Sequence, residues 1–421
     1  MTRHIARCAL LLLLAAPILA GPLAAQPLEA APAAPPVEEL VARALERAPA
    51  LAARRAAVAA ARLMEVPAAA LPDPMVEGML QNADFPDYTV GSEDMSMAGV
   101  ELRQPLPYPG KRRARGEAAA AATALRAAEL AAEERRVAAA VRSIYARLYA
   151  LDRERETLAA ARELVELLAA TAAARYATGE SEQEAVVKAQ LQVSRLGEQL
   201  DDLAAERAAM GAELDRWLDL PAGAALGDVA ALPSPSPPAS GWEETALAAA
   251  PEVVVAQAAV AAAERRLALA RLDLKPDFAP AAGLASRGSL GAVLTLRFGV
   301  ELPFWRQRKQ GPMVRAAEEE LEVARQELRD AEAVAGAEAA RLGARWLQAE
   351  RQMLRYREAI LPQSSTALDA ARSSYLAGRG DFSTVIEDFD LWLQARVQLA
   401  RREADRFAAW AELERLTGGA P

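Results

Sequence analysis

Residues 293–302 read VLTLRFGVEL, and their alternation decides the fold. Every second side chain is apolar: Leu294, Leu296, Phe298, Val300 and Leu302. The residues between them include Thr295, Arg297 and Glu301. A period of two is typical of a strand with one apolar face, and about 9–11 such residues are typical of an outer-membrane strand. A half-buried strand of a soluble sheet is the alternative interpretation.

Three further segments are predicted to accompany this strand. Residues 97–103 alternate in the same way, with Glu101 and Arg103 on the polar face, and partner strands are expected at 75–81 and 278–286. Four strands cannot close a barrel alone. If the apolar faces contact lipid, the opposite faces line a lumen. The predicted lumen residues are Glu101, Arg103, Thr295, Arg297 and Glu301.

A very long helix is predicted after each strand pair. Residues 111–178 contain no proline, and apolar residues recur at alternating spacings of four and three at Val137, Val141, Ile144, Leu148 and Leu151. The second half repeats this seam at Leu342, Trp346, Ala349, Met353, Tyr356 and Ile360. Such spacing indicates a coiled-coil seam. A helix of this span is roughly 100 Å long, which excludes an ordinary compact domain.

Both long helices are predicted to end at a glycine, Gly179 or Gly378, after which a second heptad-patterned helix returns. Glycine adopts the left-handed conformation that ends many helices. Ser181 and Asp381 are positioned to cap the returning helices. By themselves these features indicate two helical hairpins with ordinary turns and leave function open.

Matched landmarks divide the chain into two repeats. LPYPGKRRARGEAA from Leu106 corresponds to LPFWRQRKQGPMVRAAEE from Leu302, and RYATGES from Arg175 corresponds to SYLAGRG from Ser374. Landmarks in the same order predict two copies of one unit. The first repeat is predicted at residues 37–230 and the second at 241–421, joined by the Pro/Ser-rich linker 231–240.

The N-terminal segment is predicted to be a cleaved secretory signal at residues 1–25, followed by a Pro/Ala-rich segment at 26–36. The signal contains the chain's single Cys and single His. The mature chain therefore has no thiol or imidazole for a metal site or nucleophile pair. No later segment is both apolar and uncharged over the roughly 20 residues of a spanning helix.

Charge and motifs exclude several function classes. The 58 Asp and Glu residues outnumber the 49 Lys and Arg residues, giving a formal net charge of −9, which disfavours nucleic acid as a partner. Neither GxGxxG nor GxxxxGK[ST] occurs. We therefore expect no enzyme activity and no cofactor.

The chain resembles the TolC-type outer-membrane efflux channels. The resemblance rests on the two-fold repeat and on PDP (72–74), QPLPYPGK (104–111), RYATGES (175–181) and YLAGRGDFSTVIED (375–388). It implies a mainly α fold with a β-barrel part, in which a homotrimer builds a 12-stranded outer-membrane barrel continued by a long α-helical periplasmic barrel. The implied function is passive export of small molecules or metal ions. The implied partners are a periplasmic adaptor and an inner-membrane pump of the resistance-nodulation-division type.

The same resemblance implies a gate near the second tip. The two acidic gate positions of the family fall on Thr384 and Glu387, and the latch arginine falls on Gly380, beside Arg379. Tyr375 and Asp388 complete the predicted gate. The alternative is that the acidic residues here form only a solvated helix face.

The tips are expected to dock the adaptor, because they lie farthest from the barrel. The predicted docking residues are Tyr176, Gly179, Ser181, Gly378, Gly380 and Asp381. A periplasmic coiled-coil adaptor or spacer without a channel is the competing function class. Two hairpins and two amphipathic strand pairs argue against that class.

Methionines are concentrated around the first predicted strand pair, at Met75, Met79, Met95 and Met97. Thioether sulfur suits soft ions such as Cu(I). Flexible apolar filling is the simpler interpretation of these side chains. We therefore expect no dedicated metal site.

Overall fold

A computed structural model describes residues 33–83, 89–91, 95–179, 182–224, 226–235 and 241–418. The predicted signal, most of the segment 26–36, part of the linker and Ser181 lie outside these residues. The described chain is dominated by long helices with a single four-stranded sheet. The expectation of a mainly α fold with a small β part is confirmed.

The two halves of the chain present the same order of elements. The first half contains α1 (Val37–Arg47), α2 (Pro49–Leu63), α3 (Glu65–Ala69), β1 (Met75–Gln81), β2 (Met97–Arg103), α4 (Lys111–Ala177) and α5 (Gln183–Leu218). The second contains α6 (Trp242–Ala249), α7 (Pro251–Leu272), β3 (Asp277–Ser286), β4 (Ala292–Glu301), α8 (Gln310–Arg355), α9 (Leu361–Leu376) and α10 (Phe382–Thr417). Proline occupies the first turn of both α2 and α7, where its missing N–H has no helical partner to lose.

The sheet is antiparallel throughout, in the order β1-β2-β3-β4. The central pairing of β2 with β3 joins the halves and places Glu101 opposite Gly283. Gly283 in turn lies opposite Thr295 of β4. One face carries exposed apolar side chains: Val76, Leu80, Val100, Leu102, Leu284, Leu294, Leu296, Phe298 and Val300. Both edge strands, β1 and β4, have no further strand beside them among the described residues.

The long helix α4 runs for 67 residues and packs against α5 and α10. The predicted seam of this helix is buried at Val137, Val141, Ile144, Leu148 and Leu151. These residues join the apolar cores shared with the neighbouring helices. Burial of the seam supplies the stability that helix propensity alone cannot give.

The counterpart of α4 is interrupted. Between α8 and α9 the residues Tyr356–Ile360 form a π-helical turn, and Pro362 follows as the second residue of α9. Proline lacks an N–H and its ring clashes with the carbonyl four residues earlier, so a wider turn relieves both problems. The predicted seam is therefore buried from Leu342 to Met353, whereas Tyr356 and Ile360 are only partly buried. The sequence expectation was wrong at these two positions.

A buried ionic cluster fastens the segment after α5 to the first hairpin. Arg207 Nε donates to Asp152 Oδ1 at 2.6 Å, and the backbone N–H of Val229 donates to Asp152 Oδ2 at 2.8 Å. Arg155 also pairs with Asp228. Because each oxygen of the buried Asp152 is bonded, its desolvation is offset. The chain is thereby held against the middle of α4 before the second half begins.

The stretch Trp242–Leu272, which contains α6 and α7, is the one described helical segment long and apolar enough to cross a membrane by length and composition. In the fold α6 packs on α8, and α7 packs on both α4 and α8. Its buried residues include Ala246, Val253 and Leu267. Glu252 and Glu264 interrupt its apolar run, so the stretch is not uncharged over the roughly 20 residues of a spanning helix.

Candidate functional site

The sheet places all five predicted lumen residues on one face. The register aligns Glu101 with Thr295 and Arg103 with Arg297, each pair across β3. Glu301 lies on the same face of β4, because its position differs from theirs by an even number of residues. The exposed apolar residues occupy the other face.

The Glu101 carboxylate is neutralised by arginine. The residue is only 5 % exposed, and its Oε2 lies 3.0 Å from Arg297 Nη1. Arg103 lies 3.6 Å from Oε1 and also pairs with Glu77. Glu101 therefore adds little net negative charge to this face of the sheet, because arginines of the same protomer compensate it.

The two tip turns contain the expected left-handed glycines. Gly179 has φ of 77° and Gly378 has φ of 71°. A Cβ at Gly179 would meet no atom within 4 Å, whereas one at Gly378 would lie 3.5 Å from Arg175 Nη2. Gly380 is constrained differently, because a Cβ there would come within 3.0 Å of the Tyr375 backbone nitrogen. Arg379 is exposed beside it.

Arg175 joins the two tips. Its Nη1 donates to the carbonyl oxygen of Tyr375 at 2.6 Å, and its guanidinium lies 5.0 Å from the centre of the Tyr375 ring. Tyr375 is 4 % exposed and meets Phe382 edge-on, with ring centroids 5.3 Å apart. The predicted gate residue Tyr375 is thus an internal packing element between α9 and α10.

Three of the other predicted gate residues, Thr384, Glu387 and Asp388, lie on the first two turns of α10. Asp381 caps this helix by accepting a hydrogen bond of 3.2 Å from the Ser383 backbone N–H. Thr384 and Glu387 are exposed and lie one turn apart on the same face, and Asp388 is partly exposed beside them. The structure therefore brings Thr384 and Glu387 together and separates them from the buried Tyr375.

Lys188 of α5 lies across from this acidic turn. Its Nζ is 2.6 Å from Glu184 Oε1 and donates to Ser383 Oγ at 2.7 Å. The bond to Glu184, together with the negative charges of Asp381 and Glu387, raises the pKa of Lys188. The ammonium therefore stays charged and bridges the two hairpins at the tip.

One turn further from the tip, Asp390 accepts a hydrogen bond of 2.8 Å from Gln192 Nε2. Burial raises the pKa of Asp390, while Gln192 and Arg195 act in the opposite direction. Sequence reasoning did not single out Arg175, Lys188 or Gln192. Pairing across hairpins depends on helix rotation, which the heptad pattern of one helix does not specify.

The predicted docking residues differ in accessibility. Tyr176 is half exposed at the end of α4, and Gly179, Gly378 and Gly380 are exposed in the turns. Asp381 is exposed while its carboxylate caps α10. Ser181 lies outside the described residues, and α5 begins after Glu182 with no capping bond from that side chain.

The four methionines are not gathered at one point. Met79 pairs with Gly99, and Met97 pairs with Gln81, so these two are diagonal neighbours on the face of Glu101. Met75 lies four residues before Met79, about 13 Å along the strand, and Met95 is in the exposed turn before β2. Among the described residues no group of His, Cys, Asp or Glu is arranged to hold a metal ion.

Comparison with known proteins gives two kinds of match, one to a family model and one to solved structures. Residues 242–419 match the family model described as outer membrane efflux protein. None of the curated proteins matches the chain. The resemblance inferred from the sequence is confirmed by this family match together with the fold similarities below.

Solved outer-membrane proteins share the fold over nearly the full length. The OprN outer-membrane channel is 16 % identical to this chain, with a TM-score of 0.78. The match covers 91 % of this chain and 90 % of the OprN chain. VceC from Vibrio cholerae is 17 % identical with a TM-score of 0.77, and the match covers 91 % of this chain and 96 % of the VceC chain. The CmeC channel of Campylobacter jejuni is 14 % identical with a TM-score of 0.76, and the match covers 91 % of this chain and 85 % of the CmeC chain. The expected outer-membrane location, with a helical part in the periplasm, agrees with these matches.

Proposed function

We propose that this chain is one protomer of a homotrimeric exit duct in the outer membrane. Three protomers would contribute four strands each to a closed barrel, continued through the periplasm by the helices. The duct would be passive, accepting small molecules or metal ions from an inner-membrane pump through a periplasmic adaptor. The proposed pump is of the resistance-nodulation-division type. The division into repeats 37–230 and 241–421 is part of this proposal.

The observation that carries the proposal is the two-sided sheet. Its apolar face is exposed, with Leu296 74 % accessible, while its other face holds paired charges such as Glu101 and Arg297. Its edge strands β1 and β4 are unpaired within the described protomer. In lipid, unpaired backbone groups are very unfavourable, so closure with neighbouring copies satisfies both edges.

The helical part supports a periplasmic tunnel rather than a soluble spacer. The sheet leads directly into α4 and α8, and the returning helices α5 and α10 bring the chain back from the tips. A water-soluble adaptor or spacer would not be expected to expose an apolar sheet face of this size, because large apolar patches are rare on soluble proteins. The tip turns would meet the adaptor end-on, and the exposed Thr384 and Glu387 would form a ring near the mouth.

Membrane fractionation and planar-bilayer recording test the proposal. We expect the protein in the outer-membrane fraction, as a trimer in detergent whose migration on gels changes on heating. The purified trimer should produce discrete conductance steps. A monomer in detergent, or a protein confined to the soluble periplasmic fraction, would favour the adaptor or spacer instead.

A further inference from the structure

The turn between β4 and α8 exposes an aromatic pair below the apolar sheet face. Phe304 and Trp305 are 80 % and 71 % exposed. They lie two and three residues after Leu302, the last residue of the apolar alternation, which is itself half exposed. Aromatic side chains at this level of a membrane strand are suited to the boundary between acyl chains and headgroups.

The same turn carries three exposed cations, Arg306, Arg308 and Lys309. None of the three forms an ion pair with a carboxylate among the described residues. The matching turn of the first half behaves differently, since Lys111 is buried and bonds to Asp277 at 2.8 Å. The positive charge of the second turn is therefore available to an anionic partner.

A small polar cavity of about 160 Å³ lies beside the turn. Besides Phe304, Trp305 and Gln310, charged residues of both signs line it: Lys111, Lys275, Lys309, Asp273, Asp277 and Glu301. Gln310 Oε1 is buried and accepts no hydrogen bond from any described residue. The cavity is therefore balanced in charge, whereas Arg306 and Arg308 lie outside its lining and carry positive charge that no described carboxylate pairs with.

We propose that this turn, residues 302–310, is a binding surface for the headgroup of an anionic phospholipid, for which phosphatidylglycerol is the probe. Arg306, Arg308 and Lys309, which are exposed and form no ion pair among the described residues, face the phosphate. Phe304 and Trp305 contact the first methylene groups of the acyl chains. The inference rests on the proposed function, because it requires β4 to lie in the membrane.

Charge complementarity favours a lipid over a neighbouring protein chain as the occupant. The cations lie immediately beyond the apolar strand, where phospholipid phosphates lie in a bilayer. Each Lys or Arg near an anionic surface contributes about 1 kcal/mol of attraction, which is roughly fivefold in affinity. Three such residues together predict a preference on the order of 100-fold.

Native mass spectrometry of the purified trimer provides the test. The protein is incubated in detergent with phosphatidylglycerol or phosphatidylcholine, and retained lipid is counted per trimer. The test variant carries Arg306→Ser, Arg308→Ser and Lys309→Ser. The control carries Arg345→Ser, Arg351→Ser and Arg355→Ser, which remove the same charge from exposed positions of α8 roughly 50 Å or more away.

We expect the wild type and the control to retain phosphatidylglycerol in preference to phosphatidylcholine, and the test variant to bind it roughly 100-fold more weakly. Equal retention of both lipids by the wild type would overturn the inference. So would an equal loss in test and control variants, or complete displacement of the lipid by inorganic phosphate. Conductance of the same preparation reports the duct separately, so a conducting trimer without lipid preference rejects only the lipid surface. Preferential lipid retention by a protein that does not conduct rejects only the duct.

Discussion

Arg175 at the end of α4 and Tyr375 at the end of α9 are bonded to each other, although they lie in different halves of the chain. The guanidinium donates to the Tyr375 carbonyl oxygen at 2.6 Å and lies over the face of the same residue's ring. One side chain thus holds the two hairpin tips together through both a backbone and an aromatic contact. Any separation of the tips must break this pair.

We predict that Arg175→Ala loosens the resting tips. A hydrogen bond from a charged donor contributes about 1.5–3 kcal/mol, and loss of about 2 kcal/mol changes an equilibrium roughly 30-fold. The open probability of the unengaged channel should rise at least about tenfold in single-channel recordings. Arg162→Ala, which removes an exposed pair with Glu166 on the same helix, is the control and should leave it unchanged. An unchanged open probability in Arg175→Ala would separate this bond from gating.

Glu387→Gln should weaken block of the channel by trivalent cations. Three copies of this exposed carboxylate around a trimer axis would concentrate cations, and the amide removes the charge while keeping the shape. The trimer should remain as stable as the wild type in thermal melts. Glu320→Gln, at an exposed position near the start of α8, is the control. If trivalent cations block the Glu387→Gln channel as strongly as the wild type, the acidic residues of this turn form only a solvated helix face.

Gly378→Val is predicted to abolish export while the protein still assembles in the membrane. A β-branched residue at φ of 71° is strained by roughly 1–2 kcal/mol, and its Cβ approaches Arg175. A bundle of this length tolerates that strain, but the turn changes shape. Gly241→Val imposes comparable strain at φ of 89° away from the tips and should preserve export. Export assays beside outer-membrane fractionation distinguish these results, and normal export by Gly378→Val would contradict the assignment of the tips.

Two glycines seven residues apart in α8 should respond oppositely to alanine. A Cβ at Gly343 would lie 2.4 Å from Trp242 Cε2, whereas one at Gly336 meets only Leu247 at 3.7 Å. Gly343→Ala should therefore reduce the free energy of unfolding by about 1–3 kcal/mol through overpacking. Gly336→Ala should increase it by about 0.5–1 kcal/mol, because alanine favours the helix. Thermal melts of both variants check the pair, and a shift in the same direction would mean that Trp242 is not seated on Gly343.

Asp390→Asn should stabilise the protein at neutral pH and have little effect in acid. Burial raises the pKa of Asp390 in the folded state above its ordinary value of 3.8. The folded state therefore binds this proton more tightly, and stability falls as pH rises from the ordinary pKa through the raised one. Asparagine resembles the neutral acid and can still accept from Gln192.

Melting temperatures at about pH 7.5 and about pH 3.5 measure this effect. The increase in melting temperature caused by Asp390→Asn should appear at the higher pH and vanish at the lower pH. Asp201→Asn, an exposed carboxylate on α5, serves as the control for a general charge effect. An equal increase at both pH values, or the same increase in the control, would contradict the role of burial.

Elements with a strong period could be predicted from the sequence. The alternation of residues 293–302 predicted β4, and the proline-free stretch from Lys111 predicted α4 to within a residue of its end. The seam at Tyr356 and Ile360 was wrong, because the sequence pattern is apolar there while Pro362 changes the backbone. At these positions the backbone change at the π turn, rather than the hydrophobic pattern, determines which side chains are buried.

The tip contacts were harder to predict, because they depend on how separate helices are rotated against each other. The sequence pattern marked Gly179 and Gly378, whose left-handed backbone is a local property. It did not indicate that Arg175 reaches Tyr375, nor that Glu101 is neutralised by Arg297 from the other half. Partners distant in sequence are specified by the assembled fold.

The π-helical turn before Pro362 makes the two hairpins mechanically unequal. The helix α4 has a continuous backbone from Lys111 to Ala177, whereas its counterpart is interrupted at Tyr356–Ile360. Helices bend most easily where the regular backbone hydrogen bonding is interrupted, as at proline and at π turns. A push on the tips is therefore borne stiffly by α4 and yields as bending at the π turn in the second hairpin. The first hairpin acts as a strut, and the second is the compliant arm that takes up the displacement.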